Sequence, residues 1–404
     1  MSEEAVVVAA VRTPIGRAGK GSLVPMRGDD LGAIAVEAAL AQVPEVQTDD
    51  VEDLMLGCGQ PAAEQGFNMA RVVAVMAGLT DVPGVTVNRY CSSSLQTIRM
   101  ATHAIRAGEG DCFVAAGAES CSHFDKGNAD RVPDTKNPRF AEAMARTARR
   151  AEPGAEPWAP AEGLPDVYIA MGWTAENVAD LEGVTREEMD EFAARSQQLA
   201  VARQEEGFFD SEIVPVTLPD GTVVDRDDGP RPGTTVEKLA GLKPAFREEG
   251  RVTAGNACPL NDGGAAVVVT SRGFAEERGI TPLARIVATG VSAVDPEVMG
   301  LGPVGASEAA LKRAGMTIDD VDLVEINEAF AAQVIPSARR LGIDRDKLNV
   351  NGGAIALGHP FGMTGARILT TLLNGLRARD ASIGLETMCV GGGQGMALIV
   401  ERLS

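Results

Sequence analysis

Short runs of β-branched and small apolar residues at 5–10, 85–87, 267–270 and 398–400 punctuate the chain, each with the length and composition of a strand. Between them, apolar residues recur three or four positions apart over 30–42, 92–107, 306–314 and 364–377. That spacing lines one face of a helix. Strands alternating with helices predict an α/β fold.

The pattern also repeats. VEDLMLG at 51–57, a helical stretch and VTVN at 85–88 are matched by VDLVEIN at 321–327, a helical stretch and LNVN at 348–351. The offset is about 265 to 270 residues, and each copy continues through a long helix into a further strand, so two similar βα halves are expected. From about Cys121 to Gly250 the texture differs, with AEPGAEPWAPAEGLPD, two charged helical segments and the turn-rich DGTVVDRDDGPRPG. This predicts an insertion on a rigid scaffold, where binding groups commonly sit. The expected units are 1–121 with 251–282, an inserted loop domain at 122–250, and 283–404.

Composition narrows the function classes. With 404 residues, 45% of them hydrophobic and only 4% aromatic, the chain can bury more than one core of tightly packed α/β layers. A formal charge of −20 disfavours a general role on nucleic acid, which needs concentrated positive surface. Cys58, Cys91, Cys112, Cys121, Cys258 and Cys389 form no CxxC pair and no metal-ligand spacing, so they read as reduced thiols of a cytoplasmic protein with no metal site. The first residues are acidic with a strand-length apolar run, and no stretch approaches the about 18 apolar residues of a membrane span. Neither export nor insertion is expected.

Three segments pair a reactive residue with small neighbours. In VNRYCSSSLQTI, Cys91 lies between a strand end and a helix start, where free amides and the helix dipole favour a thiolate and lower the pKa from about 8.5. In NGGAIALGHPFGMTGAR, His359, one of three histidines, stands among glycines before a helix, suited to proton exchange near neutral pH. In CVGGGQGMAL, Cys389 precedes three glycines whose amides can serve an oxyanion. His103, in a helical pattern, and His123, beside the insertion, are read as structural. GCGQPA at 57–62 fits a GxGxxA pattern without a dinucleotide-binding unit around it.

NRYCSSSLQ, MGWTAENVA, VTAGNACPLNDGGAA, INEAFAAQ, NGGAIALGHPFGMTGAR and CVGGGQGMA together resemble the thiolase family, in its order and spacing, over essentially the whole chain. The resemblance implies a duplicated α/β core in α-β-α-β-α layers. It implies reversible acyl transfer between CoA thioesters, either cleaving a 3-ketoacyl-CoA with CoA or condensing two acetyl-CoA molecules. Cys91 would carry the acyl group, His359 would accept its proton, and Cys389 would shuttle a proton at the α-carbon. One oxyanion hole would comprise His359 and a water held by Asn327, the other the Cys91 and Gly391 amides. Arg231 would stack on adenine, while Ala254, Met171 and Phe330 would line the pantetheine and acyl tunnel.

Coenzyme A is thus the implied co-substrate, with no permanently bound cofactor. A homodimer or homotetramer is implied, with a β-oxidation enzyme as candidate partner. Some positions depart from the family pattern. Cys258 and Pro259 replace a frequent Ser-Gly, Ala170 stands where acetoacetyl members often have histidine, and Lys238 replaces a serine near the CoA ribose. Chain-length preference, sterol versus fatty substrate and direction stay open. Rivals are a decarboxylative 3-ketoacyl synthase on the same fold and a catalytically silent scaffold. The second thiol of CVGGGQG and the asparagine of NEAF disfavour the first. The joint presence of Cys91, Asn327, His359 and Cys389 disfavours the second.

Overall fold

The computed structural model describes residues 3–126, 128 and 132–404. In chain order the strands are β1 (Ala5–Arg12), β2 (Gly16–Arg17), β3 (Asp53–Gly57), β4 (Gly84–Val87), β5 (Cys112–Ser120), β6 (Val216–Thr217), β7 (Val223–Val224), β8 (Asn261–Ser271), β9 (Ala284–Ala293), β10 (Leu323–Ile326), β11 (Ile383–Val390) and β12 (Gln394–Arg402). Hydrogen bonding runs β10-β11-β12-β9-β1-β8-β5-β3-β4, with β2 on β8 and a separate β6-β7 ribbon. The predicted helices occur as Gly28–Ala41, Ser93–Ala107, Gly302–Ala314 and Thr364–Ala378.

The strand path contains the expected duplication. In the first half β3 is parallel to β4 and β5, and β5, β8 and β1 continue antiparallel. In the second, β10 is parallel to β11 and, through an isolated Val324–Leu348 bridge, to the LNVN segment, while β11, β12 and β9 continue antiparallel. Order and direction correspond one to one. The halves meet at β1 and β9 through two register pairs, Val6↔Arg285 and Val7↔Ala284.

Side-chain alternation explains the layers. Ala265, Val267 and Val269 of β8 enter one core, and Ala266 and Val268 enter another. Both faces of the strand are covered, which is why it reads as a continuous apolar run. The shared central core holds Leu95, Ile98 and Ile105 of one helix with Leu369, Leu372 and Leu376 of another, against strands of both halves. Outer cores bury helix Gly28–Ala41 on the first half and Gly302–Ala314 and Ala331–Leu341 on the second. The result is helices, sheet, central helices, sheet and helices.

Between β5 and β8 the chain carries helices Ala141–Arg150, Met171–Glu182 and Arg186–Glu205. Thr185 and Glu188 form a reciprocal cap that starts the last of these. A fully buried Arg12 at the end of β1 fastens this segment to the sheet, reaching Asp227 at 2.7 and 2.9 Å and Glu212 at 2.7 Å. Removing one partner of such a buried pair costs about 3–5 kcal/mol. No helix among the described residues is long and apolar enough to cross a membrane.

Candidate active site

The helices that follow Cys91 and His359 start against each other. A Cβ at Gly365 would lie 2.3 Å from the Leu95 amide nitrogen, so only glycine permits this approach. The Ala366 amide donates to Ser94 Oγ at 2.9 Å. Cys91 itself lies in a single turn, Tyr90–Ser92, entered through Tyr90 at φ 43°.

The backbone amides of Gly391 and of Cys91 itself act on the Cys91 sulfur and favour its ionised form. Tyr90 and Met171 both border Gly391: a Cβ there would lie 3.4 Å from the Tyr90 ring and 3.7 Å from Met171 Sδ. The two amides favour a thiolate, as the sequence suggests, but burial outweighs them and pushes the Cys91 thiol up to about 11. The expectation of a lowered pKa is therefore corrected. Burial, followed by repulsion from Cys91 and Cys258, also raises Cys389 well above the ordinary thiol range. The site thus groups three thiols rather than two.

His359 is buried and held at three points. Its amide donates to Asn261 Oδ1 at 2.9 Å, Nδ1 lies 2.6 Å from Thr364 Oγ1, and Nε2 lies 3.3 Å from Asn327 Nδ2. Thr364 Oγ1 donates onward to the Pro360 carbonyl at 2.7 Å. It can then only accept from His359, which places the ring proton on Nδ1 and leaves Nε2 as an acceptor facing the Asn327 amide. Burial, with the Arg367 charge adding to it, pushes His359 down to about 3. The imidazole is therefore neutral at physiological pH. Asn327 Oδ1 is buried without a protein hydrogen-bond partner among the described residues, an acceptor suited to the water implied above.

Two buried carboxylates support these loops, and sequence reasoning missed both. Glu119 accepts from the amides of Gly59 at 2.7 Å, Gln60 at 3.1 Å and Gly362 at 2.8 Å. The GxGxxA amides are thereby occupied by protein. Glu328 accepts from Ser196, Asn349 and the Ile355 amide. The acid of GAES and the acid of NEAF were the available signals.

The remaining candidates fall into two groups. Met171, Cys258 and Phe330 pack in one apolar cluster with Cys389, and Phe246 stands edge-on to Phe330 at 6.1 Å. Arg231, Lys238 and Ala254 are exposed. Lys238 Nζ donates to the Gly233 carbonyl at 2.6 Å, and the Arg231 amide to Gln197 Oε1 at 2.8 Å. Partial burial and the nearby positive charge of Arg17 lower the Arg231 pKa. Arg17 is far away in sequence and was not singled out. His103 is exposed, while His123 bonds Glu64 and the Val24 carbonyl.

The duplicated α/β fold and the comparisons with known proteins define an acyltransferase of the thiolase type. Residues 5–273 match the model of the thiolase N-terminal domain and 280–402 that of the thiolase C-terminal domain. The chain is 45% identical to a 3-ketoacyl-CoA thiolase of Bacillus subtilis and 46% identical to an acetyl-CoA acetyltransferase of Cupriavidus necator, covering 99% of each chain in both cases. It superposes on the crystal structures of the Bacillus anthracis acetyl-CoA acetyltransferase and human mitochondrial 3-ketoacyl-CoA thiolase with TM-scores of 0.86, at 39% and 36% identity, covering all of this chain and 99% of each structure. The chain belongs to the thiolase family.

Proposed function

We propose that this enzyme transfers an acyl group between CoA thioesters through a thioester on Cys91, by two half-reactions that share one site. Cys91 attacks the 3-ketoacyl carbonyl while His359 Nε2 takes its proton. The carbon–carbon bond breaks, its electron pair goes to the acetyl-CoA α-carbon, and Cys389 supplies the proton there. The CoA thiol then gives its proton to Cys389 and attacks the acyl-Cys91 thioester, His359 returns its proton to the departing Cys91 sulfur, and the shortened acyl-CoA is released. Condensation runs the same steps backwards.

The packing of Gly391 against Tyr90, the residue before Cys91, is the observation that carries this reading, because Gly391 also lies two residues from Cys389. A donor placed there can hold the developing oxyanion beside both thiols. Removing one such donor typically costs about 10²–10³ in turnover.

The insertion at 122–250 carries the CoA-binding surface. Arg231 contacts the nucleotide, Arg17 adds a second cation, Lys238 and Ala254 flank it, and Met171, Cys258 and Phe330 line the path inward. The protein works in the cytoplasm as an oligomer of its own chain. Support comes from β4, an edge strand, and from Phe67, Val75, Met76 and Tyr90, which are exposed nearby in sequence. The test is Cys91→Ser, which should fold normally yet lose nearly all turnover. Intact-mass analysis of wild type after brief exposure to acetyl-CoA should find one acetyl group on Cys91. Acetylation of another residue with Cys91 unmodified would overturn the assignment.

A further inference from the structure

Glu297 is buried and touches none of the residues given chemical roles above, yet its carboxylate gathers four donors. Arg150 Nη1 lies at 2.7 Å, Trp158 Nε1 at 2.8 Å, the Asp166 amide at 3.0 Å and Arg146 Nη2 at 3.4 Å. Its carbonyl accepts from Asn177 Nδ2 at 2.8 Å. These donors span the Pro- and Ala-rich excursion 151–166, which contains neither strand nor helix. Such a segment cannot hold its own shape by backbone pairing, so its course depends on anchors. Trp158, packed with Val178, Val298 and Leu301, is its apolar anchor, and Glu297 is its polar one.

The clamp sits against the glycine turn that follows Cys389. Val294 donates to the Gly393 carbonyl at 2.7 Å, and a Cβ at Gly393 would lie 2.6 Å from the Pro296 nitrogen. On neighbouring glycines of the turn, Cβ positions fall 3.8 Å from Val167 and 3.7 Å from Met171 Sδ. Val167 directly follows Asp166, whose amide Glu297 holds. Thus one carboxylate sets the segment supporting the turn and the segment lying over it at a fixed separation.

We propose that Glu297 is a positioning residue for acyl-chain selectivity: by fastening 146–166 it fixes Val167 and Met171 over the Gly391–Gly392 turn and so sets the room beside Cys91. This rests on Cys91 carrying the acyl group. Loosening the wall admits longer chains and holds short ones less well, and one methylene of pocket fit changes selectivity by about 10- to 200-fold.

The experiment compares full-length wild type, Glu297→Gln and Glu297→Ala in thiolysis of acetoacetyl-CoA and of a medium-chain 3-ketoacyl-CoA. The expected result is a shift of the kcat/KM ratio toward the longer ester by about tenfold in Glu297→Ala. Glu297→Gln keeps an acceptor for Asp166 and should shift less, in the same direction. Equal losses on both esters, or an unchanged ratio, would overturn the proposal. If neither variant is soluble, Val167→Ala widens the same wall without touching the clamp and must shift the ratio likewise; an unshifted ratio there is a refutation. Acetyl transfer to wild-type Cys91, measured in parallel, separates failure of this inference from failure of the acyl-Cys91 mechanism.

Discussion

Replacing Thr364 by valine tests the proton placement on His359 with almost no change of shape. The hydroxyl accepts from His359 Nδ1 at 2.6 Å and donates to Pro360 at 2.7 Å. Without it, a fully buried ring N–H has no acceptor, which costs about 1–3 kcal/mol. The ring can avoid that cost by moving the proton to Nε2 if the Asn327 amide turns its unpartnered Oδ1 toward it, and Nε2 is the nitrogen that accepts from Cys91 in the proposed mechanism. If the whole penalty drives the tautomer, the competent fraction falls about 5- to 150-fold. The single-turnover rate of Cys91 acetylation should fall by that factor, with acetyl-CoA affinity little changed. Only three histidines are present, so nitrogen-15 spectra of histidine-labelled enzyme can assign the tautomer directly. A Thr364→Val enzyme that acetylates at the wild-type rate, with His359 still protonated on Nδ1, would refute the reasoning.

Cys389→Ala should still acetylate Cys91 but fail to wash solvent deuterium into the methyl group of acetyl-CoA, since losing a positioned base costs about 10²–10⁴ in rate; equal exchange would remove Cys389 from the mechanism. Arg231→Ala and Arg17→Ala should each raise KM for CoA while sparing kcat, and an unchanged KM would return either residue to the ordinary surface. His359, held at about 3 against an ordinary value near 6.5, binds a proton in the unfolded chain that the folded chain refuses. Its contribution is therefore fully present above about pH 6.5 and declines as pH falls toward 3. Relative to His359→Asn, wild type should lose about 2 kcal/mol of unfolding free energy between pH 7 and pH 5, and parallel denaturation curves would refute the buried neutral ring.

The parts legible in the sequence were those with local causes. Periodicity locates β8 and the helix after Cys91 because their apolar faces are set by neighbours in sequence. The duplicated half was visible at VEDLMLG and VDLVEIN because each is the same strand in the same sheet position. The missed parts depend on pairs far apart along the chain. Arg12 meets Asp227 across 215 residues, the Asp166 amide meets Glu297 across 131, and nothing in either local sequence marks Arg12, Asp227 or Glu297 as buried. Arg17 carries no motif, and its relation to Arg231 exists only after β2 pairs with β8. Thr364 lay within a motif, but its role depends on one hydroxyl meeting both His359 Nδ1 and the Pro360 carbonyl.

The same long-range packing explains the reversed expectation at Cys91. A helix start favours the thiolate by up to about 2 kcal/mol where the geometry is favourable, whereas removing a thiolate from water opposes it more strongly here. Burial moves the two partners in opposite senses, raising the thiol and depressing the imidazole. Each shift favours the neutral form. The resting pair is thus Cys91 thiol and His359 imidazole, not thiolate and imidazolium. A negative charge is then best formed when an acyl carbonyl is present to take it up as an oxyanion near the Gly391 amide. Donors fixed before the reaction need no reorganisation at that moment, so in the proposed mechanism the burial that makes Cys91 a poor free nucleophile confines its reactivity to the bound thioester.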